Sequence, residues 1–207
     1  MSLKWLAWSQ KLQAIAQTGI TYTQNPYDIE RYQQIRQIAA EIMATYARET
    51  PTYVYDLFSR EEGYATPKVD VRGVVFHNDR ILLVKEREDG YWTLPGGWVD
   101  IGESPSQAVI REVYEESGYQ TQIVKLLAIY DRNHPRHNHP PIRHHVYKLF
   151  FQCQLTGGNA AESTETAGAA FFHEQEIPEL SLTRVVPSQI SRLFEHYRHP
   201  EWQADFD

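Results

Sequence analysis

The stretch that decides the reading is Gly97-Trp98-Val99-Asp100-Ile101-Gly102-Glu103, then Ser104 to Ile110, then Arg111-Glu112-Val113-Tyr114-Glu115-Glu116-Ser117-Gly118-Tyr119. Its punctuation predicts a loop feeding one helix over Ser104 to Ser117. Ser104 can accept a bond from an orphan amide of the first turn, Pro105 suits a first position that needs no donor, and Gly118 suits the left-handed residue that ends a helix. On that helix Glu112 and Glu116 are four apart and Glu115 is three from Glu112, so the carboxylates share one sector with β-carbons ~5 to 6 Å apart. Like charges so placed cost about 0.2 to 0.5 kcal/mol per pair, and a hard divalent cation taking oxygen ligands reverses that sign. Magnesium or manganese is the expected ion. A charge run taken alone is ordinarily a solvated helix face, but here a glycine-bearing loop precedes it. Glu103 and Arg111 can brace that loop to the helix without touching the ion. The glycines of Leu94-Pro95-Gly96-Gly97 allow a tight turn with accessible carbonyls, one of which could complete the coordination sphere.

Before this segment, Val69 to His77 and Ile81 to Lys85 flank Asn78-Asp79, a hairpin signal. After it, Ile123 to Tyr130, His145 to Leu155 and Ala169 to Phe172 read as strands, and Ser188 to Tyr197 as a helix. Mixed strands with interspersed helices place the chain in the α/β or α+β class. Toward the N-terminus the period becomes helical. Leu3, Leu6, Trp8, Leu12, Ile15 and Ala16 mark a first helix from Leu3 to Gln17, with Gly19 as its left-handed cap. A second follows Asn25-Pro26, with Tyr32, Ile35, Ile38, Ala39, Ile42, Met43 and Tyr46 inward and Pro51 beyond its end. Two helices enclose no core of their own, so this hairpin is expected to pack on the remaining chain or on a second copy. The expected organisation is a helical extension over 1–58, a linker over 59–67 rich in charge, glycine and proline, and a catalytic domain over 68–207.

With 207 residues, 42% hydrophobic and 13% aromatic, the chain has enough apolar surface for one substantial core. The formal charge of -7 argues against general binding to nucleic acid, whose affinity comes from lysine and arginine releasing counterions. The one cysteine, Cys153, lies in an apolar run and reads as a buried thiol. A reducing, cytoplasmic setting is expected, with no membrane span and no signal-peptide core.

The glycine-to-Glu103 interval, the seven residues that follow, and Arg111-Glu112-Val113-x-Glu115-Glu116-x-Gly118 together resemble the Nudix box at every spacing. Tyr119 departs from it, standing where the family prefers an aliphatic residue. The resemblance implies an α/β/α sandwich with a mixed sheet over roughly Val69 to Tyr197. It implies metal held by Glu112, Glu115 and Glu116 with the Gly96 carbonyl assisting, and a structural role for Glu103 and Arg111. Stretches such as Lys4-Trp5-Leu6, Tyr27-Asp28-Ile29-Glu30-Arg31-Tyr32 and His145-Val146-Tyr147-Lys148 are similar to bacterial CDP-choline and ADP-ribose pyrophosphatases with an N-terminal helical extension. That likeness implies a homodimer whose extension forms the interface or caps the substrate.

Metal ions bridging a diphosphate would neutralise developing charge and position a water. The general base must be a carboxylate in reach of that water. Glu112 and Glu115 qualify within the box, and Glu162 and Glu165 in the loop 159–168 qualify outside it; Glu165 is favoured, as similar ADP-ribose hydrolases use a loop carboxylate. For substrate contacts the sequence offers Arg72, Lys85 and Arg87 on adjoining strands, Trp98 for stacking, and Arg132, His137 and His139 from a segment dense in cations and imidazoles. Core packing for the aromatic, surface charge for Arg72 and a solvated loop for the histidines remain open. The expected reaction is hydrolysis of a nucleoside diphosphate linked to X, with CDP-choline or ADP-ribose first. Nucleoside triphosphate pyrophosphohydrolysis, RNA-end processing and a non-cleaving ADP-ribose sensor are the alternatives.

Overall fold

One central strand, buried on both faces from Asp70 to Val75, organises the larger part of the chain. In the computed structural model, which describes residues 4–207, β1 (Lys68–His77) turns Val71 and Val75 to one face of a sheet and Val74 to the other. Helix α4 (Pro105–Ser117) covers the first face with Ala108, Val109 and Val113. Helix α5 (Pro187–Arg198) covers the second with Ile190, Leu193 and Phe194. The result is an α/β/α sandwich around a mixed sheet. A Cβ on Gly73 would stand 2.3 Å from Val113, so the missing side chain is what lets α4 approach β1 this closely.

The other strands are β2 (Arg80–Glu86), β3 (Trp92–Thr93), β4 (Tyr119–Asp131), β5 (Val146–Gly158), β6 (Thr166–Phe172) and β7 (Asp205–Phe206). They run β3-β2-β1-β5-β4-β7, with β6 also on β2. β1 and β5 are parallel, with Asp70 opposite Lys148. The hairpin between β1 and β2 closes through Asn78 and Asp79, both at positive φ. β2 pairs with β1 only near this turn, at Phe76 and His77. Farther along, the same edge of β1 takes the Leu94–Val99 segment instead: Val71 donates to the Gly97 carbonyl, Gly73 to that of Pro95, and Val99 to that of Val69. Strand β4 begins four residues before the expected Ile123, because bulges at Gln120/Thr121, Ile123/Lys125 and Leu126/Ala128 break the period of two. Cys153 is buried, and burial pushes its thiol up to about 12.

The chain divides into two compact units, one reaching to Pro67 and including Pro141–His145, the other comprising Lys68–Pro140 and Val146–Asp207. The sequence had assigned the 141–145 segment to the second unit. Among its described residues the first unit holds three helices, not the expected hairpin of two: α1 (Lys4–Tyr22), α2 (Pro26–Ala47) and α3 (Pro51–Ser59). Pro51 starts a helix, with the Thr50 hydroxyl accepting from the Tyr53 amide. Leu6 of α1, Ala39, Ala40, Met43 and Ala44 of α2, and Val54 and Phe58 of α3 form their own core.

Two expectations for this unit are corrected. Gly19 is helical and not a left-handed cap; a Cβ there would lie 2.4 Å from the Tyr32 ring, so the glycine admits α2. The buried stripe of α1 is Leu6, Ser9, Gln13, Ala16 and Gln17, while Trp8 and Ile15 face out. Polar members of the stripe bond to backbone: Ser9 donates to Ala39 O at 2.8 Å and Gln13 to Phe58 O at 3.1 Å. Leu3 lies outside the described residues. Among the described residues no helix is long and apolar enough to cross a membrane.

Candidate active site

Helix α4 is held by the caps its sequence implies. The Ser104 hydroxyl accepts from the Gln107 amide, the Gln107 side chain accepts from the Ser104 amide, and Gly118 closes the helix at φ 76°. Its acidic sector then faces the Leu94–Gly97 turn. Glu116 is 5% exposed and accepts the Gly96 N–H at 2.9 Å, and the Glu112 carboxylate lies beside Gly97. Gly96 has φ 140° and a Cβ there would stand 2.0 Å from the Val71 oxygen, so only glycine lets the turn lie on β1. Of the four carbonyls in this turn, those of Leu94, Pro95 and Gly97 accept hydrogen bonds, from the Arg72 side chain, the Gly73 amide and the Val71 amide.

Arg111 is the hub of the exposed side. Its Nε and Nη2 grip both Glu103 oxygens at 2.9 Å, and Nη1 reaches Glu112 and Glu115, each at 2.9 Å. Its bond to Glu103 keeps the Glu103 carboxyl below the usual range. Burial pushes Glu116 up to about 8, against the pull of Arg72 and the Gly96 amide and with repulsion from Glu112 and Glu86. Glu112 is likewise raised by burial, less opposed by Arg111 than needed to cancel it.

Two flanking features were not read from the sequence. Glu86, at the end of β2, is buried, raised by that burial, and paired with Arg184 at 3.0 Å. Asp70 is buried beneath Arg72 and Lys148, whose charges outweigh its desolvation and hold its carboxyl low. The available signal was charge inside apolar strands: Val69-Asp70-Val71-Arg72-Gly73-Val74 and Val146-Tyr147-Lys148-Leu149-Phe150.

The proposed substrate contacts divide into two groups. Trp98 is 48% exposed beside Gly97, and Lys85 is half-buried opposite Trp92. Arg87 is exposed and anchors the loop of the candidate base, through Glu162 at 2.7 Å, Ser163 O at 3.1 Å and its own amide to Glu165 O at 2.9 Å. Glu165 itself is exposed, on a loop fastened to α4 where the Thr166 hydroxyl donates to Glu116 O at 2.6 Å. By contrast, Arg72 is 4% exposed and committed to Asp70 and Leu94 O, which leaves it no face for a phosphate. Arg132 is 3% exposed and donates to Thr183 O and Pro140 O. His137 pairs with Asp207 at 2.9 Å, and His139 with Leu182 O at 2.7 Å. These four, expected as substrate contacts, bond to internal partners.

A family model described as the NUDIX domain matches residues 66–194. The chain belongs to the Nudix family. A second model, a UDP-X-like N-terminal oligomerisation domain, matches residues 3–58 of this Nudix chain. A putative ADP-ribose pyrophosphatase, YjhB of Bacillus subtilis (strain 168), is 46% identical over 204 residues, which is 99% of this chain and 97% of that protein. The crystal structure of a UDP-X diphosphatase is 29% identical, covers 100% of this chain and 99% of its own, and has a TM-score of 0.64. An ADP-ribose pyrophosphatase structure from Streptococcus suis 89-1591 is 38% identical, covers 69% of this chain and all of its own, and has a TM-score of 0.62. The Nudix chain is accordingly a pyrophosphatase, a hydrolase of phosphoanhydride bonds.

Nudix hydrolases generally depend on a divalent metal, and the donors here fit a hard one. They are three carboxylates, a buried Glu116 whose desolvation lacks a full counter-charge, and the Gly96 carbonyl, which takes none of the turn's hydrogen bonds. Among the described residues no three side chains of the acidic, histidine or cysteine type already converge on one point. Arg111 Nη1 instead holds Glu112 and Glu115, each at 2.9 Å.

Proposed function

We propose that this Nudix chain hydrolyses the diphosphate of a nucleoside diphosphate linked to a sugar, ADP-ribose first, releasing AMP and ribose 5-phosphate. The observation that carries this reading is the buried Glu116 carboxylate clasped by the Gly96 amide, with Glu112 and Glu115 in the same helical sector. Magnesium or manganese, when bound, would screen the diphosphate charge and acidify a water. Glu112, Glu115, Glu116 and the Gly96 carbonyl would hold it, with Glu103 and Arg111 bracing the loop. Glu165 is the candidate base, because its loop is tied to both Arg87 and α4 and its side chain is exposed. Trp98, exposed beside Gly97, would stack on the nucleobase, and Lys85 and Arg87, on β2 and just beyond it, would supply positive charge. Similarity over the full length to an ADP-ribose pyrophosphatase and to a UDP-X diphosphatase supports the substrate class and makes UDP-linked sugars the second arm. CDP-choline stays in the panel on the resemblance of the extension. The helical unit would make the homodimer, and a cytoplasmic enzyme is the setting that its single thiol fits.

The test is a panel of ADP-ribose, a UDP-sugar, CDP-choline, nucleoside triphosphates and triphosphate-ended RNA, each with magnesium or manganese in oxygen-18 water. The expected result is metal-dependent nucleoside monophosphate from ADP-ribose, with kcat lower by at least about 10²-fold in Glu116→Gln. Full activity in that variant refutes the metal assignment. Pyrophosphate from triphosphates moves the enzyme to another class, and bound but intact ADP-ribose, with every other member of the panel also uncleaved after long incubation with metal, makes the chain a sensor.

A further inference from the structure

We infer that Lys148, Asp70 and Arg72 form a charged brace behind the Leu94–Gly97 turn that positions the Gly96 peptide for Glu116; the inference rests on the metal-site reading above. Asp70 and Arg72 share a face of β1 with Val74, which packs toward α5, so they approach the turn from the side of the sheet opposite α4. Lys148 lies directly across from Asp70 on β5 and precedes Phe150 of the same core. All three are at most 4% exposed.

The bonds form a directed series. Lys148 Nζ donates to Asp70 Oδ1 at 2.6 Å. Arg72 then forks onto the same carboxylate, Nε to Oδ1 at 2.9 Å and Nη2 to Oδ2 at 2.6 Å, which leaves Nη1 aimed at Leu94 O at 3.0 Å. A bidentate guanidinium is planar and stiff, so locking one side fixes where the other points. The turn is therefore held from both faces: Arg72 takes Leu94 O from behind, and Glu116 takes the Gly96 amide from the α4 side. The β1 backbone takes Pro95 O and Gly97 O between them.

Stability alone gives little reason to keep such a group. Buried ion networks are commonly neutral or unfavourable compared with apolar side chains of similar volume. This one also sets two basic side chains against one carboxylate, and Arg72 feels the charges of Glu116 and Glu86. Both properties suit a device that holds a peptide and a carboxylate in place for an ion. Lys148, Asp70 and Arg72, all buried, act as positioning residues through the turn.

The test compares wild type with Lys148→Met, with Arg72→Lys, which keeps charge but loses the fork, and with the doubly neutral Asp70→Asn/Lys148→Met. Manganese affinity without nucleotide is read by electron paramagnetic resonance, and Gly96 amide exchange is read by NMR in metal-free protein. In variants with a native circular dichroism spectrum, the manganese Kd should rise about tenfold or more, and the Gly96 amide should exchange faster. A lowered melting temperature with manganese affinity within twofold of wild type and unchanged Gly96 exchange overturns the brace.

If the variants do not fold, magnesium is titrated into the wild-type protein. The Arg72 Nε resonance should shift together with the Gly96 amide, and a Gly96 shift without one at Arg72 overturns the inference. Wild type that binds neither metal sinks the enzyme reading instead, and the brace is then judged on Gly96 exchange alone.

Discussion

His139 is 9% exposed, donates from Nδ1 to Leu182 O, and among the described residues has no hydrogen-bond partner for Nε2. Burial, with no anion to offset it, lowers its pKa to about 4 from 6.5. The unfolded chain therefore takes up this proton first, so the stability contributed by the neutral ring is whole above 6.5 and is lost as pH falls toward 4. The effect is on the order of 2 to 3 kcal/mol. Glu116 gives the opposite slope, because a carboxyl raised by burial favours the folded state as it protonates. The measurement is therefore a difference: the melting-temperature gap between wild type and His139→Gln should narrow from pH 7 to pH 4.5, and a constant gap refutes the assignment. At this scale the sequence was legible where chemistry is local in the chain. Glu112, Glu115 and Glu116 are neighbours on one helix, and Glu103 and Arg111 are eight apart. Asp70 and Lys148 are 78 residues apart, and no spacing rule connects them. Arg132, His137 and His139 were read as substrate contacts for the same reason, since their partners Thr183, Asp207 and Leu182 come from distant segments.

Helix α4 and strand β1 meet where Gly73 leaves room for Val113. Gly73→Ala should cost about 1 to 3 kcal/mol through overpacking. Adding Val113→Ala should recover part of it, so a double-mutant cycle by urea unfolding should show a combined loss smaller than the sum. Strict additivity would mean that α4 shifts away instead. The caps of α4 were legible because Ser104, Pro105 and Gly118 each act within one turn. Helix α3 was missed because proline both ends one helix and begins the next, and only the Thr50 hydroxyl distinguishes the two. In α1 the apolar period misled, since the buried stripe carries Ser9, Gln13 and Gln17 bonded to backbone, while Trp8 and Ile15 stand 60% and 45% exposed.

Those outward-facing residues, with Ile38 on α2, give the helical unit an apolar surface of the kind that oligomers bury. Sedimentation of the purified chain should give twice the chain mass of 24.1 kDa, and Trp8→Glu with Ile15→Glu should shift it to the monomer. A wild-type monomer across micromolar concentrations would remove the helical unit from that role. The order in which the chain is synthesised has its own consequence. Helix α4 ends at Ser117, whereas β5, which supplies Lys148 and the long parallel partner of β1, begins only at Val146. A nascent polypeptide leaving the ribosome thus carries the finished acidic helix beside a strand whose flank is still open. Asp70 and Arg72, charged in the middle of that flank, discourage adhesion to neighbouring emerging chains until β5 arrives.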